Sequence, residues 1–396
     1  MVVCIQSSVH LNEGTQAQTV KPKLHIGLLF GGLSTEHEVS ILSTTSIYEA
    51  IDKTKYDVSL IHIDKRGYWR LADPSALRLG AADTALRIER ETDNTVFLSP
   101  AQDSGQLLEI RGDAQGKEPA PMPIALQSNG IDVIFPILHG PNGEDGTIQG
   151  LLKLVNIPFV GASVVGSVLG MDKDVMKRLL KGAGLPVPRF RVIRSTQRNE
   201  ATFSRMADEL GVPFFIKPAN AGSSVGISKV SSLEECRLGM DEAFRFDNKI
   251  LVEENVIGRE IECAVIGNEH PIASVVGEII TRHAFYSYEA KYLDEAGTTL
   301  IIPADIPAAL SDHIRDLSIK VYQTLCCEGM ARVDMFLKEN DDVLVNEINT
   351  IPGFTEQSMF PVLWDYSGLP LPTLIDRLIA LALERHERDN RLQKTR

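Results

Sequence analysis

The chain has 396 residues, too many for one compact core, and that length sets a prior of two or three domains. Hydrophobic residues make up 43% and charged residues 23%, the balance of a soluble globular protein. The net charge of −13 argues against non-specific binding to nucleic acid or an anionic membrane, while a phosphate ligand stays open because local lysines and backbone N–H groups decide that.

Residues Met1–Pro22 are polar and lack a basic stretch followed by an apolar one, so they read as a disordered tail and not a signal peptide. Leu24–Phe30 is an apolar run suited to a buried strand. After Gly31-Gly32, Thr35 and Glu38 fit a capping box that opens a helix with Val39, Leu42, Ile47, Ala50 and Ile51 as its apolar stripe. Asp57–Ile63 alternates as a second strand, and Ala72–Asn129 reads as an irregular elaboration with a few short strands. Asp132–Leu138 is a third buried strand, followed by a Gly-rich loop and the helix Gly146–Val155. Strand, turn and helix in repetition predict an α/β domain with a largely parallel sheet.

The character changes near Gly161. Met171–Gly182 reads as a basic helix, stopped by Gly182 and Gly184 with Pro186 and Pro188 behind. Phe214–Pro218, Gly226–Val230, Ile250–Val256 and Glu260–Gly267 read as strands, and Leu310–Leu325 and Leu371–Glu387 as helices. No apolar run is long enough to span a bilayer. The five cysteines, Cys4, Cys236, Cys263, Cys326 and Cys327, are odd in number and lack zinc spacing, which fits a reducing cytoplasm.

The stretch Met330–Asn349 reads as two strands, Met330–Lys338 and Val343–Asn349, around a polar turn. Strand alternation puts Arg332, Asp334 and Phe336 on one face, and Val345, Glu347 and Asn349 likewise on one face. A turn centred between Asn340 and Asp341 sets Asp334 opposite Glu347. Facing carboxylates repel, so the pair reads either as a site for a hard cation such as Mg²⁺ or as ordinary charges on a solvent-facing hairpin. A register slip of one residue would part the acids.

Other segments also carry two readings. The loop Lys217–Gly226, KPANAGSSVG, can close backbone N–H groups over phosphate, or it is a flexible hairpin; it lacks the GK[ST] ending of a Walker A loop. Lys173 and Lys217 sit where apolar runs meet loops, as phosphate partners or solvated side chains. Glu253 and Glu254 are consecutive in a strand, so one faces inward, where it would accept from a ribose hydroxyl or stay a surface acid. His139 and Glu36 lie at carboxyl ends of buried strands, where α/β sheets bind ligands. His139 would meet a substrate carboxylate or cap its strand; Glu36 would bind an ammonium or complement a helix dipole. In Thr350–Pro361, Gly353 offers a backbone N–H and Ser358 a hydroxyl, and Arg332 suits a developing oxyanion.

In this order LFGGLSTEHEVS, HGPNGEDGTIQG, GMDKDVMKRLL, IKPANAGSSVGISKV, YSYEAKY, ARVDMF and NEINTIPGFTEQSMFP closely resemble the D-alanine–D-alanine ligase family of the ATP-grasp superfamily, in its longer subclass. The resemblance runs from about Lys23 to Glu387 and leaves Met1–Pro22 outside it. It implies a three-domain α/β fold: an N-terminal α/β parallel-sheet domain at 23–161, a central ATP-grasp domain at 162–253, and a C-terminal ATP-grasp domain at 254–396 with a mobile loop at 281–300. It implies cytoplasmic synthesis of D-alanyl-D-alanine from ATP and two D-alanines for peptidoglycan, by a homodimer, with two Mg²⁺ ions or Mn²⁺ in their place.

The same resemblance assigns roles. Lys173, Lys217 and Lys291 would contact phosphates; Glu253, Val256 and Phe336 the adenine; Glu260 the ribose; Ser223, Ser224, Glu254 and Asn346 would also line the ATP site. Asp334, Glu347 and Asn349 would bind the metals, Glu347 also serving ATP. Glu36, with His139 close by, would hold the first D-alanine; Ser224 would link Glu36 to Tyr292; Arg332 and Gly353 would form the oxyanion hole; Ser358, with Met359, would bind the second D-alanine. D-lactate or D-serine as second substrate is the nearest alternative, and the EAKY pattern Glu289–Tyr292 favours the dipeptide because depsipeptide-forming relatives lack it. A nucleotide-binding regulator without catalysis would have lost a metal ligand or Arg332, and all of these stand.

Overall fold

A computed structural model of the chain describes residues 22–77, 91–98, 107–110, 124–125, 130–198, 201–281 and 298–393. The first apolar runs become a parallel core: β1 (Leu24–Gly31) lies between β2 (Tyr56–Ile63) and β7 (Val133–Ile137). Ile26, Leu28, Leu29 and Phe30 are fully buried, because both faces of β1 are covered. The elaboration adds antiparallel strands at one edge, β3 (Trp69–Ala72), β4 (Glu91–Leu98), β5 (Leu107–Ile110) and β6 (Ile124–Ala125), giving the order β6-β5-β4-β3-β2-β1-β7. The first helix, α1, runs His37–Ala50 with Glu36 at its N-cap, so the expected Thr35–Glu38 capping box does not form. Glu38 pairs with Lys65 instead.

Helix α2 is Thr147–Leu154. The expected basic helix forms as α4 (Lys173–Gly182), and a separate helix, α3 (Val164–Met171), precedes it and ends at Asp172. The Asp172 carboxylate accepts from the Asp174 and Val175 N–H groups, capping α4 as short polar side chains do. Four antiparallel strands follow, β8 (Phe190–Arg194), β9 (Phe214–Pro218), β10 (Ser228–Val230) and β11 (Lys249–Glu254), in the order β10-β9-β11-β8, with α5 (Ala201–Leu210) and α6 (Leu233–Ala243) between them in sequence. A third sheet, β14-β13-β12-β15-β16, is also antiparallel: β12 (Arg259–Gly267), β13 (Ile272–Thr281), β14 (Thr298–Ile301), β15 (Gly329–Leu337) and β16 (Val343–Asn349). Helix α7 (Ala308–Thr324) packs on this sheet, and α8 (Met359–Tyr366) and α9 (Leu371–Asn390) close the chain. Among the described residues no helix is long and apolar enough to cross a membrane.

The last helix ties the two ends of the chain together. Leu374, Ile375, Leu378 and Ile379 of α9 share one apolar cluster with Ile26, Leu28 and Phe30 of β1. Arg385 of α9 is buried and donates to the carbonyls of Phe159 (2.6 Å) and Gly161 (2.5 Å), its guanidinium 4.4 Å from the Phe159 ring centre. Replacing Arg385 with Met should cost about 3 kcal/mol of folding free energy, because two buried carbonyls lose a charged donor. Urea titration of the two chains measures that difference, and equal midpoints would remove Arg385 from this role.

Candidate active site

A cavity of about 410 Å³ opens between the second and third sheets. Lys217 and Glu253 line it from β9 and β11, Glu260 and Glu262 from β12, and Asp334, Phe336, Asn346 and Glu347 from β15 and β16. Lys173, at the start of α4, and the Gly222-Ser223-Ser224 turn close one side.

On the β15–β16 hairpin Asp334 does face Glu347, for a reason the sequence did not expose. From the turn inward Leu337 faces Val343, Phe336 faces Leu344 and Met335 faces Val345; the register then shifts by one, so that Asp334 faces Glu347 and Arg332 faces Asn349. Asn346 is the extra residue of a β-bulge. Without it Asp334 would face Asn346, and Glu347 would turn to the core. The bulge also corrects the expected faces of β16: Val345 is fully buried in the core, while Asn346, Glu347 and Asn349 are on the cavity side. Arg332, Asp334 and Phe336 share a face as expected.

The carboxylates are held by nearby cations. Lys173 Nζ lies 3.1 Å from Glu347 and donates to the Ala221 carbonyl at 2.8 Å. Burial works against its charge, but Glu347, Glu144 and Glu253 overcome this and hold its pKa above the ordinary lysine value. Arg332 forms a fork on Asp334, Nε to Oδ1 at 2.7 Å and Nη2 to Oδ2 at 2.8 Å, and Asn349 Nδ2 donates to Asp334 at 2.9 Å. Glu253, the inward member of its pair, sits between Lys217 (2.7 Å) and the fully buried Lys177 (2.9 Å). Burial pushes Lys177 down to about 8 despite Glu253. Glu254 pairs with Arg189 and also lines the cavity. Lys217 also donates to Asn346 at 3.3 Å. Lys249 pairs with Asp172 (2.6 Å) and Asp174 (3.1 Å), which fastens the start of α4, and so Lys173, to β11.

The donor set suits a hard cation. Asp334, Glu347 and Asn349 offer oxygen atoms from neighbouring positions on one face, and Mg²⁺ or Mn²⁺ prefers such ligands. Among the described residues no three His, Cys, Asp or Glu side chains converge on one point. Two carboxylates and an amide are what Mg²⁺ needs when phosphate oxygens complete its shell.

Glu36 is 6% exposed and makes no capping hydrogen bond to its own helix. Its carboxylate instead lies against Gly140 and Gly222: a Cβ on Gly140 would come 2.6 Å from Oε2, and one on Gly222 3.0 Å. Glu36 accepts a hydrogen bond from the Ser223 hydroxyl, one residue before the Ser224 named by the resemblance. Ser223 and Ser224 both have positive φ, 48° and 59°, a conformation that L residues adopt at a cost of roughly 1–2 kcal/mol each. Tyr292 and Lys291 lie outside the described residues, as does most of the 281–300 segment.

Several of the expected site residues also tie segments together. His139 Nδ1 bonds the Ile351 carbonyl at 2.9 Å, which assigns the proton to Nδ1, and Nε2 lies 3.3 Å from the Ser43 hydroxyl. Both ring nitrogens thus have protein partners. Burial, with Arg332 nearby, lowers the His139 pKa against the pull of Glu36, so the ring is neutral near pH 7. Ser43 also accepts from the Phe354 N–H at 3.1 Å. Glu144, which the sequence reading missed, bridges the same two segments by accepting from Gly140 N–H and Ile351 N–H, each at 2.9 Å. The Ser358 hydroxyl lies over Gly353, where a Cβ would meet it at 2.7 Å, and bonds the Thr355 N–H at 3.0 Å. The Met359 side chain is buried against Gly277 and belongs to the core.

Two family models match the chain. The D-ala D-ala ligase N-terminus model covers residues 25–162 and the D-ala D-ala ligase C-terminus model residues 179–380. The chain belongs to the D-alanine–D-alanine ligase family. It is 48% identical over 373 residues to D-alanine–D-alanine ligase A of Escherichia coli strain K12, a match covering 94% of this chain and 99% of that one. It is 47% identical to a D-alanine–D-alanine ligase of Shouchella clausii, covering 94% and 98%. The solved D-alanine-D-alanine ligase of Coxiella burnetii superposes with a TM-score of 0.78 at 38% identity over 93% of this chain and 96% of that chain. A D-Ala:D-Ser ligase of Enterococcus faecalis follows at 0.76 and 34%, over 91% and 100%. These are ATP-grasp ligases, and the α/β fold, with a first sheet that is parallel around β1 and antiparallel at one edge, agrees with the fold expected of the family.

Glu144 generates a pH prediction. Burial and the charge of Glu36 push its carboxyl up to about 7, against the two N–H bonds that favour the anion. The folded chain therefore holds this proton where the unfolded chain has released it, so its contribution to stability is full below the usual carboxylate pKa and is lost as pH rises toward 7. Denaturant titrations at several pH values from 5 to 7 should show the unaltered chain losing stability with pH more steeply than Glu144→Gln. Parallel slopes would mean that Glu144 titrates normally.

Proposed function

We propose that this chain joins two D-alanine molecules at the expense of ATP, through an acyl phosphate, for peptidoglycan precursors. The observation that carries this reading is the bulged hairpin that sets Asp334 against Glu347 on the wall shared with Lys173, Lys217 and the Gly/Ser turn. Membership of the ligase family and the relatives named above support the same activity.

Lys173 and Lys217 take the nucleotide phosphates. Lys173 stays protonated because its neighbours are acids, so a phosphate group entering beside Glu347 meets a full positive charge. Glu253, fixed between two lysines, accepts from the adenine amino group; the Val256 backbone and Phe336 frame the ring; Glu260 takes the ribose. Asp334, Glu347 and Asn349 hold divalent cations, whose chemistry when bound is to neutralise charge on the transferring phosphoryl group. Glu36 holds the ammonium of the first D-alanine, and the close approach at Gly140 and Gly222 keeps side chains out of that space. Arg332 and the Gly353 N–H receive the oxyanion that forms when the second amine attacks, and Ser358 holds the second carboxylate. An acyl phosphate hydrolyses in water, so the 281–300 segment, with Lys291 and Tyr292, closes the site in this reading. The homodimer and the cytoplasm belong to the same reading through the family resemblance.

D-serine as the second amine is the alternative, raised by the D-Ala:D-Ser relative. Identity is higher to the relatives named for D-alanine, 48% against 34%. Incubation with ATP, Mg²⁺ and D-alanine should release ADP and phosphate with one D-alanyl-D-alanine per ATP. ADP release indifferent to D-alanine would sink the reading, and a product dominated by the D-serine dipeptide in a mixture would select the alternative.

Arg332→Ala should lower kcat by about 10²–10³, the worth of a preorganised charge at an oxyanion, with a smaller change in ATP affinity. Collapse of ATP binding with normal turnover would assign Arg332 elsewhere. Glu36→Gln should raise the KM for the first D-alanine by about 10–100-fold, because a neutral amide forfeits a charge-assisted bond of roughly 1.5–3 kcal/mol. Unchanged KM values for both D-alanines would return Glu36 to a purely structural part.

A further inference from the structure

Arg332 and the cation site make competing demands on one carboxylate. The Arg332 fork occupies both oxygens of Asp334. A divalent cation on Asp334 would have to share those two oxygens with a guanidinium that repels it. The single hydrogen on Nε is directed at Asp334 Oδ1, 2.7 Å away. Glu262 Oε2 lies 2.8 Å from the same nitrogen. Glu262 stands on β12 directly opposite Asp334, so Glu262, Asp334 and Glu347 form a row across three adjacent strands. Glu262 is only 5% exposed. Three carboxylates in cross-strand register repel one another, and a buried acid is costly without a positive neighbour. Arg332, between Glu262 and Asp334, serves both.

We propose that Glu262 is a positioning residue that draws the Arg332 guanidinium off Asp334, so that Asp334 is free to hold a divalent cation while Arg332 stays aimed at the reacting centre. The proposal rests on the reading of Asp334 as a cation ligand. When the cation takes Asp334, the Nε hydrogen has an anionic acceptor already within 2.8 Å. The swap costs Arg332 little movement, and it never leaves a buried guanidinium without an anion. With Glu262 removed, Arg332 has Asp334 as its anion on this row, and a cation must break that pair outright.

The test is a cycle of cation affinities, read as free Mn²⁺ by electron paramagnetic resonance while Mn²⁺ is titrated into the full chain with ADP. Four proteins are compared: unaltered, Glu262→Ala, Arg332→Met and the double variant. Glu262→Ala should weaken Mn²⁺ about tenfold, and the loss should vanish in the Arg332→Met background, where no guanidinium competes for Asp334. A loss of equal size in both backgrounds would make Glu262 a direct ligand and overturn the proposal; no loss in either would make it a bystander. Should Glu262→Ala fail to fold, Glu262→Gln runs the same cycle. It keeps an oxygen for the Nε hydrogen but not the charge, so the expected loss is about threefold and again vanishes with Arg332→Met; no loss, or one that persists, overturns the proposal. If the unaltered chain with ADP binds no Mn²⁺, the reading of the cation site fails; if it binds and the cycle shows no coupling, only the role of Glu262 fails.

Discussion

A charge taken out of water must keep an opposite charge beside it, and in this chain the partners come from different segments. Lys173 at the start of α4 answers Glu347 on β16. Lys177 on the same helix and Lys217 on β9 answer Glu253 on β11. Arg332 on β15 answers Asp334 on its own strand and Glu262 on β12. The two lysines of α4 tie that helix to both sheets, Lys173 to the third and Lys177 to the second, and the cavity is the space so enclosed. The same pairs leave charged groups poised at its wall. Such pairs seldom add stability over an apolar core; here they hold groups of both signs where a nucleotide and its cations would be received.

The hairpin supplies a second constraint. Side chains in a strand alternate with period two, so one extra residue reverses every face beyond it. The bulge at Asn346 makes that reversal between Val345, which packs in the core, and Glu347, which reaches the cavity. It lets one short strand serve the core at its turn end and the site at its other end. It also presents Asn346 to Lys217, so the residue that disturbs the ladder gains a bond at the site.

The first sheet is fixed to the rest by polar stitching and by α9. His139, Glu144 and Ser43 bind backbone atoms of Ile351 and Phe354, on either side of Gly353. The turn proposed to carry the oxyanion N–H is therefore held by residues near Glu36, the proposed first-substrate residue. Ser223 reaches the same carboxylate from the Gly/Ser turn. Three parts of the chain distant in sequence meet at Glu36, and the two glycines packed against its carboxylate leave no room for larger side chains there.

Periodicity by itself determined most elements, because buried strands such as Leu24–Gly31 and Phe214–Pro218 are runs of apolar residues that water excludes wherever they end up. It also exposed the acids of the hairpin, since facing carboxylates need an explanation in any fold. Motif order identified the family for the same reason that it is specific: several short segments must each keep the residues their chemistry needs. The sequence did not reveal Glu262, although Glu260 and Glu262, two apart in a strand, share a face as a visible signal. Nor did it show that His139 bonds other parts of the protein through both nitrogens, or that the Ser223 hydroxyl reaches Glu36. Those outcomes depend on which strands become neighbours, on one bulge and on two left-handed serines. They are decided by contacts between residues far apart in the chain, and local propensity carries no record of such contacts.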